Sequence, residues 1–119
     1  IFVIDHCRAV EAVLLRGRKG EIYNISAAEE KSNLDVVKIV LQALGKSEDL
    51  IDFVEDRPGH DARYSLDSTK IRTKLHWHHR ENFAEGIAKT VSWYLENEPW
   101  WRPLMDDRVL HPAPWTLTW

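Results

Sequence analysis

Asp56-Arg57-Pro58-Gly59-His60-Asp61 is the stretch on which the reading of this chain turns. It sets a cation, a rigid turn and an imidazole within six residues, between an apolar run and a second extended segment. Pro58 fixes its own φ and biases Arg57 towards extended backbone, while Gly59 opens left-handed angles closed to other residues. Arg57 and His60 are thereby carried on a stiff turn. A guanidinium suits bidentate recognition of phosphate, and a neighbouring imidazole adds a donor. On spacing alone the same stretch also reads as a surface turn with a solvated arginine.

Working outward, the helical signals alternate with short extended runs. A helix is expected from a cap at Asp5 to about Arg16, with Cys7, Val10, Val13 and Leu14 on its apolar side and Gly17 as its stop. Ser32 or Asn33 opens a second helix whose Val36, Val37, Val40, Leu41 and Leu44 share a face, stopped by Gly45. Asp67 caps a short helix bearing Ile71 and Leu75. Asn82 and Glu85 form a capping-box pattern for a longer helix ending before Pro99, with Phe83, Ile87, Val91, Tyr94 and Leu95 inward. Glu21–Ser26, Ile51–Glu55 and Tyr64–Leu66 read as strands. Strands separated by helices imply a small mixed α/β unit. Residues 1–99 form the expected domain, and 100–119 a Trp/Pro-rich tail packing on the domain or a partner.

Composition bounds the function. The chain has 119 residues, 44% of them hydrophobic and 29% charged, with a net charge of −3. That is the balance of a globular domain with no basic stripe, which argues against nucleic acid as a partner. Its apolar runs are too short to span a bilayer. The single cysteine, Cys7, rules out an intrachain disulfide framework and is consistent with a cytoplasmic setting. The apolar opening Ile1-Phe2-Val3-Ile4, without a methionine, suggests a start within a larger protein.

Asp56–Asp67, DRPGHDARYSLD, resembles the matching stretch of the dTDP-glucose 4,6-dehydratases, members of the extended short-chain dehydrogenase/reductase superfamily. Asp5–Val10 (DHCRAV) resembles that family's DHCRA helix start, Gly20–Ile25 its GEIYNI strand, and Thr90–Asn97 its last helix. The resemblance runs to about Trp101 and covers the carboxy-terminal, substrate-binding part of such an enzyme, without its Rossmann-type NAD-binding domain. It implies that Asn33, Arg57 and His60 contact the diphosphate of a dTDP-sugar. It further implies a parent lyase that oxidises the sugar at C4 by hydride transfer to NAD, eliminates water across C5 and C6 and returns the hydride to C6. It also implies a missing amino-terminal NAD-binding domain as partner, and homo-oligomers.

The catalytic parts of that scheme are not in this sequence. There is no glycine-rich dinucleotide fingerprint after a strand. No tyrosine stands four residues before a lysine: Tyr23 is followed by Ala27, Tyr64 by Ser68 and Tyr94 by Glu98. The fragment is therefore expected to bind no NAD and to be inactive alone. Asn33 reads from its position as a helix cap, and the resemblance adds a phosphate contact at the same helix end. His76, His78 and His79 are too crowded for a shared metal site and read as a wet loop. Trp93, Tyr94, Trp100 and Trp101 could stack on a base or sugar, or close the domain edge. Two departures stand out: His76 occupies the position where the family usually has glycine, and Ala27-Ala28 one where relatives often have glycines and a histidine. The alternatives are a fragment of another nucleotide-sugar epimerase or decarboxylase, or a non-catalytic interaction module.

Overall fold

In the computed structural model, residues 1–105 are described. They form α1 (Val3–Arg16), α2 (Asn33–Leu44), α3 (Thr69–Leu75), α4 (Phe83–Glu96) and the short α5 (Glu98–Trp101), with 3-10 turns at Glu48–Leu50 and Arg102–Leu104. Residues 106–119 of the expected tail lie outside the described residues.

The helices start and stop where local chemistry dictates. Ser32 caps α2: its hydroxyl accepts the Asp35 N–H at 3.1 Å, and the Asp35 carboxylate accepts the Ser32 N–H. Asn33 is thus the first helical residue and not the cap. Gly45 ends α2 at φ 62°, left-handed backbone that suits glycine. Asn82 and Glu85 form the expected reciprocal box at the start of α4. Asp67 accepts the Thr69 N–H at 2.8 Å ahead of α3.

α1 packs on α3, and α2 on α4. Ala9, Ile71, Leu75 and Trp77 form the buried cluster, flanked by Val13, Tyr23 and Ile25. The face of α1 expected to be buried is instead largely open: Cys7 is exposed, and Val10 and Leu14 are 50% and 82% exposed. The inward face is Asp5, Ala9 and Ala12. Small side chains let α1 approach α3 closely, so the larger residues are left outside. On α4, Phe83, Ile87 and Val91 are half-buried, while Tyr94 and Leu95, expected to face inward, are exposed.

The expected strands are present only as extended chain; no strand is formed among the described residues. A strand needs a neighbouring backbone to complete its ladder. For residues 21–26 side chains of the α3 region supply that role. Lys70 Nζ donates to the Ile22 carbonyl at 2.8 Å, and Ser68 Oγ and Arg72 Nη2 donate to the Ser26 carbonyl at 3.0 and 3.3 Å. Phe53 and Ile22 are each 81% exposed, so this chain offers apolar surface that its own described residues do not cover.

Candidate functional site

A turn at Arg57–His60 is closed by the His60 N–H donating to the Arg57 carbonyl at 3.3 Å, with Gly59 at φ 69°. Pro58 and Gly59 therefore sit where a type II turn requires them. Asp56 tightens it from the side: its carboxylate accepts the Arg57 N–H at 2.9 Å and lies 2.6 Å from His60 Nδ1. The imidazole beside it holds the Asp56 carboxyl below the usual carboxylate range.

His60 and Asn33 share one open cleft of about 630 Å³, bounded by residues 25–33 and 60–66 together with Ile1, Val36, Asp56 and Phe83. Arg57 is not among its walls. Its guanidinium lies against the Tyr64 hydroxyl at 3.4 Å, and Tyr64 does line the cleft. Among the described residues Arg57 forms no ion pair with a carboxylate.

Sequence reasoning missed Lys31 and Arg63, the cations that do line the cleft. Arg63 lay in the quoted stretch, three residues beyond His60, and its charge was the available signal. Arg63 Nη2 and Ser65 Oγ both reach Glu30 Oε1, each at 2.6 Å. The Ser65 hydroxyl and then the Arg63 guanidinium hold the Glu30 carboxyl below its ordinary value. Glu29, Glu30, Asp56 and Asp61 all line the cleft, so its cations are balanced or outnumbered by carboxylates. Three of these are already engaged: Asp56 with His60, Glu30 with Arg63 and Ser65, and Glu29 with the Phe83 N–H at 3.1 Å.

The loop before α4 departs from its expected role. Asp5 caps nothing on its own helix, which starts at Val3. It is fully buried and accepts the N–H groups of Arg80 and Glu81, each at 2.9 Å, with Arg8 at 3.2 Å. Burial pushes its carboxyl up, but the two backbone donors and Arg8 outweigh that and hold it below 3.8. The histidine run is not uniformly wet either. Trp77 is in the core, His76 and His78 are exposed, and His79 is half-buried with Nε2 3.7 Å from Glu29. No group of three or more His, Cys, Asp or Glu among the described residues is arranged to hold a metal ion.

His76 stands at the end of α3 with φ 50°, and Ala28 has φ 58°. Both positions therefore take the backbone that glycine adopts most readily. The aromatic residues form an edge-to-face ladder. Trp93 meets Tyr94 and Trp100 at 5.2 and 5.4 Å, and Trp101 donates to the Tyr94 carbonyl at 2.7 Å. None of them lines the cleft.

The start of α2 and the turn carrying His60 thus border one cleft, and comparison with known proteins gives the family in which this arrangement occurs. The family model described as GDP-mannose 4,6 dehydratase matches residues 1–90, and the chain belongs to that family. Within it, the chain is 50% identical over 104 residues to a dTDP-glucose 4,6-dehydratase of Streptomyces niveus. It is 43% identical over 117 residues to the dTDP-glucose 4,6-dehydratase of Escherichia coli. These matches cover 87% and 89% of this chain, but 31% and 32% of the relatives, so it spans about a third of their length. Among solved structures it is similar to a dTDP-glucose 4,6-dehydratase from Bacillus anthracis in complex with NAD (43% identity, TM-score 0.81, 87% of this chain and 32% of that one). A Streptomyces venezuelae dTDP-glucose 4,6-dehydratase with NAD and TYD bound matches equally well (46% identity, TM-score 0.81, 86% of this chain and 32% of that one). The resemblance read from the motifs is thus matched by whole-chain similarity. No helix among the described residues is long and apolar enough to cross a membrane.

Proposed function

We propose that this chain is the carboxy-terminal, sugar-nucleotide-binding portion of a dTDP-glucose 4,6-dehydratase, a lyase whose NAD-binding part lies in the remaining length of its relatives. The observation that carries the reading is the meeting of Asn33, at the first turn of α2, with His60 of the stiff Asp56–Asp61 turn in one cleft. The free N–H groups and dipole of a helix start favour a phosphate, and the His60 ring adds a donor beside them. Arg57, on the same turn, reaches the diphosphate by releasing its contact with the Tyr64 hydroxyl.

The residues present do not fit NAD: the chain has neither the glycine-rich fingerprint nor a tyrosine–lysine pair at catalytic spacing. No chemical step is assigned to its side chains. Its contribution is to bind the nucleotide and so fix where the sugar ring stands, which is a positional share of catalysis. The fragment alone is inactive, and 4-keto product formed by the purified chain would overturn that reading. The extended segments that lack a ladder and the uncovered face of α1 fit a chain that packs on further protein, whether the rest of the enzyme or a second copy.

Calorimetric titration of dTDP into the purified chain tests the proposal, with Arg57→Ala as control and UDP and GDP as competitors. Saturable binding weakened by the substitution supports it, and the competitors report base preference. Absence of binding by a folded chain would refute an independent nucleotide site.

A further inference from the structure

We infer that Arg63 is a further phosphate-binding residue of this cleft and that Glu30 is its internal competitor, holding the guanidinium until a diphosphate displaces it. The inference deepens the nucleotide-binding reading and rests on it. Its basis is that of the two arginines in the Asp56–Asp67 stretch, the one on the cleft wall is Arg63, not Arg57. The cleft also carries more carboxylates than lysine and arginine side chains, so a dianion entering it unaided would be repelled.

Glu30 answers both points. Its Oε1 sits 2.6 Å from Arg63 Nη2 and 2.6 Å from Ser65 Oγ, a cation and a hydroxyl side by side around one oxygen. That is the pair of donors a phosphate oxygen accepts, here occupied by a carboxylate of this chain. Both partners of the ion pair are more than half exposed, so the contact is weak and exchangeable. Glu30 also lies only three residues before Asn33, so a phosphate at the start of α2 stands within reach of the group that Glu30 would release. Exchange costs little because one anionic acceptor replaces another. The swap would free the Glu30 side chain to turn towards solvent.

The test is a set of calorimetric titrations of the full chain with dTDP, pyrophosphate and thymidine, each variant being checked for native far-UV circular dichroism. Arg63→Ala should weaken dTDP and pyrophosphate about tenfold or more and leave thymidine unchanged, the loss of one charge-assisted contact. Arg63→Lys should recover part of that affinity. Glu30→Gln should tighten dTDP about twofold to fivefold, because it removes both a competitor and a repelling charge. A purely structural ion pair would make Glu30→Gln weaken binding or leave it unchanged, and that result overturns the competitor role. Wild-type binding that is weakened by His60→Ala but not by Arg63→Ala overturns the inference while leaving the nucleotide site standing. No dTDP binding by the folded wild type overturns both.

Discussion

Replacing Asp5 should destabilise this chain more than its place on a helix would suggest. Its carboxylate is fully buried and bridges α1 to the loop before α4 through the N–H groups of Arg80 and Glu81, each at 2.9 Å. Hydrogen bonds to a charged acceptor contribute about 1.5–3 kcal/mol each, giving roughly 3–6 kcal/mol for the pair. Arg80 is exposed, so water can reach part of the vacated space. Asp5→Ala is therefore expected at the lower end, about 3 kcal/mol, a large share of the roughly 5–15 kcal/mol that holds a domain together. Asp5→Asn keeps an acceptor for the two donors but loses the charge and the Arg8 contact, and should cost about half as much. Urea denaturation at neutral pH reads both. The folded carboxyl titrates below its ordinary 3.8. Its stabilisation is therefore fully present above that value and is lost as pH falls through the folded pKa. The gap between wild type and Asp5→Ala should accordingly shrink only in strong acid. An Asp5→Ala variant within about 0.5 kcal/mol of wild type, where ordinary surface changes fall, would refute the bridge, as would Asn and Ala variants of equal stability.

Three further perturbations follow from local geometry. His76→Gly should stabilise the chain by about 0.5–1 kcal/mol in thermal or urea melts, because the left-handed backbone cost it relieves exceeds the chain entropy glycine adds. Gly17→Ala should destabilise by about 2 kcal/mol, since the new Cβ would fall 2.4 Å from the Val13 carbonyl oxygen, a backbone atom that cannot step aside. Ser32→Ala should cost about 1 kcal/mol by breaking the capping box of α2, and should lower helix content measured by circular dichroism.

The helices were legible because their signals are local. The cap at Ser32 or Asn33, the Asn82/Glu85 box and Gly45 each act within a turn, so a few residues suffice to place a boundary; the structure adds that Ser32 is the cap and Asp35 its box partner. The strands were not, because an extended run becomes a strand only when a neighbouring backbone accepts it; for Glu21–Ser26 the partners of the backbone carbonyls are side chains 42 to 48 positions away. The apolar stripe Cys7, Val10 and Leu14 was read as core, yet the contact went to Ala9 and Ala12. Periodicity identifies a face but cannot weigh close approach against side-chain size. At the site, the turn could be read from Pro58 and Gly59, and His60 and Asn33 do share a cleft. The Glu30–Arg63 pair could not be read, since it joins residues 33 positions apart that no spacing rule connects. Asp5 was misjudged for the same reason: its partners lie 75 and 76 positions further along the chain.

The most direct test of the account is to follow the backbone amide resonances of the ¹⁵N-labelled chain as dTDP is added. The cleft reading predicts that the largest shifts fall at the first turn of α2, around Ser32 and Asn33, and at Gly59, His60 and Arg63. Shifts concentrated on Trp93, Tyr94, Trp100 and Trp101, with those cleft amides unmoved, would contradict it.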